Sequence, residues 1–385
     1  MNMQAELLIA QGNQHRSDRQ YEQALQCYAN AFVLDRQNSN AFNNYGNVLR
    51  EMGLPHDAVP FLRQAIHLDP SSTTAKFNLA VCLLLMGDYQ QGWSAYESRW
   101  DYEHLAGTLP RFTQPRWTGQ DIRGKTLLVL GEQGHGDNIQ FCRFLINLHG
   151  MGARIVFVTT AGLVPLFKDN SGIVYWTGTG EDDIPAFDYW VPLMSVAGLL
   201  RVQIDNLIRR QNYINAPTES HKKWAAILGP KSRMRVAFCW SGRRDAWLNQ
   251  HKSVPFELML SLIQRCPQYE WINVQTDATP EETQCLADAG VNLYPGTIHS
   301  WVDTAGLLYH ADIVLGVDTA ISHLGGAMGR PTWVMLNSFA QDWRWLLDRN
   351  DSPWYPTITL FRQPAFHDWE SVLAKVERFL ALNKI

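Results

Sequence analysis

A glycine-rich loop with one aspartate is the first stretch whose residue types could do chemistry. LGEQGHGDNIQF, residues 130–141, follows an apolar run and places Asp137 where a helix is predicted to begin. The carboxylate could contact a ribose, bind a metal, cap the helix or accept a proton from a substrate. The glycine order G-x-x-G-x-G is not the dinucleotide fingerprint, and no acidic residue ends the next apolar run, at 153–160. No carboxylate–histidine cluster lies nearby in sequence, so capping and general base catalysis remain open.

Three neighbours of Asp137 belong to the same candidate site. Two of them are glycines, which leave room for a substrate to come close. A helix start also favours negative charge, which keeps a base ionised. The neighbours are Gly134, His135 and Gly136, and His135 is the next candidate for the base.

A second candidate loop is GVDTAISHLGGAMGRP, residues 316–331. Asp318 or Thr319 could cap the helix that is predicted to begin there. The N–H groups of a helix start could equally bind a phosphate. His323 lies one turn further on, beside Thr319 and Ala320, and can face the same anion. These residues alone leave both interpretations open.

The third candidate loop, CWSGRRDAWLNQHKS at 239–253, supports the phosphate. Its candidate residues are Ser241 and Gly242 at the end of a predicted strand, and then Arg243, Arg244 and Lys252. A lone lysine in a polar loop is usually a solvated charge. Here Lys252 would emerge at the same sheet edge as Asp318 to His323, because the carboxyl ends of parallel strands share one edge. Two independent anion features predict a diphosphate site.

Composition and charge narrow the class of protein. The 385 residues include 33 Lys and Arg against 37 Asp and Glu, a net charge of −4, which argues against nucleic acid as a partner. None of the six cysteines forms a Cys-x-x-Cys pair, so buried thiols in a reducing compartment are expected. The first residues do not resemble a signal peptide, and the longest apolar run, 79–87, is too short to span a bilayer. We therefore expect a cytoplasmic protein without a membrane span.

The first hundred residues repeat. Gly12, Gly46 and Ala80 are 34 residues apart, and three further positions keep the same period. This period and its small and aromatic positions resemble the tetratricopeptide repeat, a helix–turn–helix unit. We assign residues 1–104 to such repeats and 105–123, with its prolines and glycines, to a linker.

Beyond the linker, apolar runs alternate with helical stretches, which predicts parallel sheets covered on both faces. The runs are 125–131, 153–160, 172–176, 187–193, 235–242, 270–275, 311–318 and 331–336. A break between the fourth and fifth runs predicts two Rossmann-like lobes, 124–218 and 219–366, with the ligand in the cleft between them. An amphipathic helix is predicted within 367–385. Most rings of the aromatic stretch 342–356 are expected to pack between the lobes, and the alternative is that one or two stack on a sugar or a base.

Taken together, these stretches resemble the bacterial tetratricopeptide-repeat glycosyltransferases, whose catalytic module is a GT-B fold of the heptosyltransferase-like group. The expected fold class is α + α/β, with repeat helices followed by two Rossmann-like lobes. The matching stretches are GDYQQGWSAYESRW (87–100), GKTLLVLGEQGHGDNIQFCRFL (124–145), VAFCWSG (236–242), DTAGLLYHADIVLGVDTAISHLGGAMGRPTWVML (303–336) and DWRWLLDRNDSPWYPTITLFRQ (342–363).

The resemblance implies inverting, metal-independent transfer of a hexosyl or pentosyl group from a nucleotide sugar, with no cofactor besides this donor. It implies Asp137 as the base and Lys252 as the lysine that holds the donor phosphates. Asp318, Thr319 and His323 would contact the donor, and Ala320 stands where heptosyltransferases commonly have glycine.

The repeats would recruit the acceptor, because stacked helix pairs form a concave groove that suits a peptide. Protein glycosylation on Ser or Thr is therefore the expected activity, with flagellin as one acceptor by analogy. One alternative is a repeat scaffold whose inactive GT-B module only binds a nucleotide or a partner. The other is a nucleotide-dependent epimerase or dehydrogenase, for which the fingerprint is missing.

Overall fold

The chain folds into two compact units, each assembled from three segments. The computed structural model describes residues 2–102, 105–167, 173–176, 184–207, 212–242, 244 and 251–382. The repeat unit comprises Met1–Phe112, Arg201–Leu207 and Ser338–Asp348, and the two-sheet unit comprises Thr113–Leu200, Ile208–Asn337 and Arg349–Ile385. Arg243, one of the predicted cations, lies outside the described residues.

Helical hairpins form most of the repeat unit, as the period of 34 predicts. The helices are α1 (Met3–Ser17), α2 (Tyr21–Leu34), α3 (Ser39–Glu51), α4 (Pro55–Leu68), α5 (Thr73–Leu85) and α6 (Tyr89–Tyr96), followed by a 3₁₀ turn (Glu97–Asp101). Side chains of Asn2, Asn38 and Ser72 cap the first helix of each hairpin. The repeated small residues allow close packing, since a Cβ at Gly12 would lie 2.5 Å from Cε1 of Tyr28.

Two later segments of the chain complete the repeat unit. The ring of Phe339 stacks on Tyr21 with centroids 5.3 Å apart, and the Ala340 N–H donates to the Glu51 carbonyl at 2.9 Å. Trp343 packs edge-on against Trp93, with centroids 5.4 Å apart. Trp343 therefore belongs to the repeat unit, so the expectation of packing between the lobes is wrong for this ring.

Two parallel sheets form the centre of the other unit. The strands are β1 (Thr126–Leu130), β2 (Arg154–Val158), β3 (Ile173–Trp176), β4 (Tyr189–Pro192), β5 (Arg235–Phe238), β6 (Glu270–Asn273), β7 (Ile313–Val317), β8 (Thr332–Leu336) and β9 (Ile358–Arg362). The first sheet has the order β3-β2-β1-β4 and the second has the order β6-β5-β7-β8-β9. Strands β5, β7 and β8 are buried along their whole length, because a parallel sheet is covered on both faces.

Strand order places the candidate loops at switch points of the two sheets. The chain leaves β1 towards β2 and later returns to the other side of β1 with β4. In the same way, β5 has β6 on one side and β7 on the other. Ligands of such sheets bind where the order reverses, at the carboxyl ends of the strands. The loops after β1, β5 and β7 are the three that the sequence singled out.

Helices cover the sheets. They are α7 (His135–Phe141), α8 (Leu145–Gly150), α9 (Val164–Phe167), α10 (Ser195–Leu199), α11 (Thr218–Leu228), α12 (Phe256–Arg265), α13 (Pro280–Asp288), α14 (Trp301–Tyr309), α15 (Ala320–Ala327) and α16 (Trp369–Leu382). The last is the predicted amphipathic helix, and its buried face joins the core of the second sheet. Among the described residues, no helix is long and apolar enough to cross a bilayer.

Candidate active site

The loop after β1 holds Asp137 by a backbone hydrogen bond. Gly134 is the N-cap of α7, so Asp137 is the third helical residue rather than the cap. Its Oδ2 accepts the Gly134 N–H at 2.7 Å, which places it in the reciprocal position of a capping box. A carboxylate has about four lone-pair directions, so this bond is compatible with a second role towards a substrate.

Asn138, which no pattern in the sequence marks as part of the site, fixes the path of this loop. Its amide nitrogen donates to the carbonyls of Glu132, at 3.2 Å, and Gly134, at 2.9 Å. Glu132 in turn accepts the N–H of Met194 at 2.8 Å. The loop is therefore tied to the segment that follows β4, which orients Asp137 before any substrate arrives.

His135 is bonded to a tryptophan from the second half of the unit. The indole N–H of Trp301, at the start of α14, donates to Nδ1 of His135 at 3.2 Å. An indole nitrogen only donates, so Nδ1 carries no proton and the neutral ring is protonated at Nε2. Burial also lowers the pKa of His135. His135 therefore presents an N–H group to its surroundings, which makes it a weaker candidate for the base than Asp137.

The start of α15 does not show the side-chain capping by Thr319 that the sequence left open as one interpretation. Thr319 is the N-cap, but its side chain makes no capping bond among the described residues and its Oγ1 lies 3.9 Å from Sγ of Cys239. Ser322 donates back to the Val317 carbonyl at 2.6 Å. Thr319 therefore does not fill the space in front of the first N–H groups of α15, which helix starts offer to anions.

Lys252 and Asp318 form a close ion pair at this helix start. Nζ of Lys252 lies 2.5 Å from Oδ2 of Asp318, and their side chains are 16% and 7% exposed. Asp318 thus positions the lysine instead of capping α15. An ammonium group has three N–H donors, so Lys252 can keep this bond and still donate to a phosphate.

The loop after β5 is linked to the same lysine segment. Oγ of Ser241 lies 2.9 Å from Oγ of Ser253 and donates to the Gly242 carbonyl at 2.8 Å. The structure thus brings the predicted Ser241 and Gly242 next to the Lys252 segment. Arg244 instead bonds to Glu282 at 2.6 Å, so it already has an acidic partner.

Gly136 brings the two sets of predicted residues together. A Cβ at this position would lie 2.9 Å from Cδ2 of His323 and 3.5 Å from Cα of Ala320. Helix α7, which carries Asp137, therefore packs directly on α15. Nδ1 of His323 lies 2.9 Å from the hydroxyl of Tyr355, a partner that the sequence analysis did not identify.

We expect Gly136→Ala to lower the free energy of unfolding by about 1–3 kcal/mol, the usual cost of overpacking. The new methyl group must displace His323, so nucleotide affinity should fall as well. Gly150→Ala is the matched control, because a Cβ there meets no atom within 4 Å. Chemical denaturation and calorimetric titration of both variants test this, and equal stability of the two would contradict the close packing of α7 on α15.

Within the described ranges, no group of three His, Cys, Asp or Glu side chains could hold a metal ion. The described site contains three features that can act on a substrate: a carboxylate on α7, the lysine–aspartate pair, and the N–H groups of α15.

The fold combines N-terminal helical hairpins of the tetratricopeptide type with two parallel sheets. No family model matches the sequence. Protein FlbA of Caulobacter vibrioides is 27% identical over 330 residues, which cover 78% of this chain. The chain spans 54% of the length of FlbA, about half of it.

Parts of the chain match solved structures at low sequence identity. The glycosyl transferase family 9 structure from Veillonella parvula is 11% identical, with a TM-score of 0.46, and the match covers 70% of this chain and 92% of that one. The Sgt2 TPR domain from Aspergillus fumigatus is 23% identical, with a TM-score of 0.25, and the match covers 25% of this chain and 64% of that one.

Proposed function

We propose that the chain transfers a sugar from a nucleotide-sugar donor to a hydroxyl group of a protein acceptor, with inversion and without a metal ion. The observation that carries the proposal is the packing of Gly136 on His323 and Ala320. It places the helix of Asp137, from the first sheet, beside the helix start of the second sheet, where the Lys252–Asp318 pair lies. A base and an anion site on facing elements are what transfer from a diphosphate requires.

The donor side must stabilise a leaving group. When the bond between the anomeric carbon and the diphosphate oxygen breaks, its electron pair leaves with the diphosphate. Lys252 and the N–H groups of α15 would stabilise the charge that develops there, because fixed donors in a protected site cost no reorganisation. Asp318 contributes by holding the ammonium group in place.

The acceptor side must remove a proton. Asp137 would take the proton of the acceptor hydroxyl as its oxygen attacks the anomeric carbon from the side opposite the diphosphate. One carbon–oxygen bond forms and one breaks in this step, so the configuration inverts. A positioned base contributes about 10²–10⁴-fold to such a rate.

An array of amide side chains supports the recruitment of a protein by the repeats. Asn78 donates to Asn43 at 3.1 Å, Asn43 to Asn44 at 3.0 Å, and Asn44 to Asn13 at 3.0 Å. The array crosses α5, α3 and α1, the first helices of successive hairpins. An amide side chain both donates and accepts hydrogen bonds, so such a row suits the backbone of an extended peptide.

A panel of nucleotide sugars, incubated with the full chain and a candidate protein acceptor, tests the activity. The proposal expects release of the nucleoside diphosphate, sugar on Ser or Thr of the acceptor, and an anomeric configuration opposite to that of the donor. A chelator should leave the rate unchanged. Nucleotide binding without hydrolysis or transfer for any donor would favour the repeat scaffold, and loss of transfer with chelator that Mg²⁺ restores would contradict the metal-free mechanism.

We expect the double variant Asn13→Ala, Asn44→Ala to lower transfer to the protein acceptor while donor hydrolysis stays unchanged. Point substitutions are preferable to deletion of repeats, because residues 338–348 pack on Tyr21 and Glu51. Asn30→Ala is the matched control, since Asn30 is an exposed asparagine on the second helix of its hairpin. The same acceptor KM for the wild type, the double variant and Asn30→Ala would exclude the amide array as the recruiting surface.

A further inference from the structure

One hydrogen bond joins the half of the two-sheet unit with strands β1–β4, the first-sheet half, to the half with β5–β9, the second-sheet half. The indole N–H of Trp301 donates to Nδ1 of His135 at 3.2 Å, and the two rings meet edge-on with centroids 5.4 Å apart. His135 begins α7, which follows β1, and Trp301 begins α14, which lies between β6 and β7 in the chain. The bond therefore ties a loop of one sheet to a helix of the other.

Trp301 is held in place by its own half. Ser300 caps α14, because its side chain accepts the Asp303 N–H at 3.1 Å, and Thr304 donates to the Ser300 carbonyl at 3.2 Å. The indole also approaches a second loop of the first-sheet half, since its Cδ1 lies 3.8 Å from the position of a Cβ at Gly162, after β2. The ring is therefore directed at the first-sheet half by a capped helix start.

The bond between the two rings depends on the protonation of His135. Nδ1 accepts the indole N–H only while it carries no proton, because an indole nitrogen can only donate. A protonated imidazole has a donor at both nitrogens, so two N–H groups would face each other and the bond would be lost. Among the described residues, Trp301 is the only hydrogen-bond partner of the His135 ring, so no second bond replaces it.

Neighbouring charges do not hold His135 in one protonation state. The titratable groups on the elements around it are Glu132, Asp137, His299, Asp303 and His323. Each of the three carboxylates accepts a backbone N–H, at 2.8, 2.7 and 3.1 Å in chain order, and within the described ranges none pairs with the His135 ring. The imidazole is partly surrounded by protein, which lowers the pKa of His135 and still leaves the ring accessible to protons.

We propose that the bond between Trp301 and His135 is a pH-sensitive latch, which keeps the two halves of the two-sheet unit closed and releases them when His135 takes up a proton. In the closed form, partial burial holds the pKa of His135 below the ordinary value of histidine. In an opened form the ring is hydrated and titrates near that ordinary value. As the pH falls through it, the open form takes up the proton first, so acid favours opening. At higher pH both forms are neutral, and the bond contributes its full stabilisation to the closed form.

The protonation of His135 can be measured by NMR of the full chain labelled with ¹⁵N-histidine. The signals missing in His135→Asn assign the residue, and a pH titration gives its pKa. We expect a proton on Nε2 at neutral pH and a pKa below the ordinary value. Trp301→Phe keeps an aromatic ring but removes the indole N–H, so the pKa of His135 should rise by about 0.5–1 unit, the value of one hydrogen bond.

Two spin labels measure the distance between the halves. The native Cys285 on α13 is exposed and carries one label, and Met151→Cys, at a position that is 40% exposed after α8, carries the other. Cys27→Ser removes the other cysteine that is not buried. Electron–electron double resonance at about pH 8 and about pH 5.5, on either side of the ordinary pKa of histidine, should give a longer distance at the lower pH.

Two variants assign this opening to the latch. His135→Asn places an amide oxygen near the position of Nδ1, and this oxygen accepts the indole N–H without titrating, so the label distance should stay short at both pH values. Trp301→Phe should raise the ratio of open to closed molecules about 2- to 10-fold at about pH 8, the value of one hydrogen bond.

Trp117→Phe is the matched control, because it removes an indole N–H that donates to the Gln120 carbonyl at 2.8 Å inside the first-sheet half. It should change neither the pKa of His135 nor the label distance. A wild-type distance that is the same at both pH values, opening of His135→Asn at the lower pH, or an unchanged pKa of His135 in Trp301→Phe would each overturn the proposal. These readouts require no donor or acceptor, so they do not depend on the proposed function.

Discussion

Asp137→Asn should lower the rate of sugar transfer by about 10²–10⁴-fold, the usual contribution of a positioned base. The asparagine side chain can still accept the Gly134 N–H that Asp137 accepts at 2.7 Å, so the start of α7 should keep its structure. Nucleotide affinity and melting temperature should therefore barely change. Single-turnover kinetics, calorimetric titration and melting curves on the same preparation measure the three quantities.

Glu282→Gln is the matched control for this change. Glu282 is also the third residue of its helix and accepts the Thr279 N–H at 2.8 Å, so the same replacement of a carboxylate by an amide occurs at an equivalent position. Its transfer rate should stay near that of the wild type. Near-normal transfer by Asp137→Asn would exclude Asp137 as the base. Asp137→Ala should cost about 1 kcal/mol of stability, since it removes the capping interaction.

Lys252→Met should reduce both stability and nucleotide binding. It leaves the carboxylate of Asp318, 7% exposed, without its ammonium partner. Breaking a buried ion pair in this way costs about 3–5 kcal/mol. Affinity for a nucleoside diphosphate should fall about 10- to 100-fold, as for the loss of one charged hydrogen bond. Chemical denaturation and calorimetric titration measure the two effects.

The double variant Lys252→Met, Asp318→Asn separates the two effects. Removing the second charge should restore most of the stability, because no buried charge is then left unpaired. Nucleotide affinity should stay low, since the phosphate contact is still missing. The pair Lys231–Asp312, at 2.7 Å and with the lysine 41% exposed, is the control, and its double variant should change neither quantity much. If Lys252→Met, Asp318→Asn binds the nucleotide with normal affinity, the phosphates bind at another place in the protein.

The sheets could be predicted because buried parallel strands leave continuous apolar runs in the sequence. Strand β1 lies inside the run 125–131, and β7 lies inside 311–318. Strand β9 was missed. It stands at one end of its sheet, and the half-buried Thr359 interrupts its apolar residues. The criterion of a continuous apolar run therefore fails for β9, although it identified the other edge strands, β3, β4 and β6.

The loops of the candidate site could be predicted from the sequence. The contacts that their residues make in the folded chain could not. Glycines and charges at strand ends mark the loops, because parallel sheets place those ends at one edge. The partners of the marked residues come from distant parts of the chain: Trp301 bonds His135 and Tyr355 bonds His323. Aromatic residues of this kind look like core in a sequence, and only the folded chain shows which hydrogen-bonding group each one reaches.

The repeat unit is assembled from segments that lie far apart in the chain, and this affects how the protein folds during synthesis. Its helices occupy the first hundred residues, but Phe339 and Trp343, which cover Tyr21 and Trp93, come from Ser338–Asp348. Domains generally fold in the order in which they leave the ribosome. Here the repeat unit leaves the ribosome before the two-sheet unit but cannot complete its folding, because its covering aromatic residues are translated after most of the two-sheet unit. A nascent chain keeps this aromatic surface uncovered until Ser338–Asp348 has been synthesised. Chaperones would therefore be needed most during that interval.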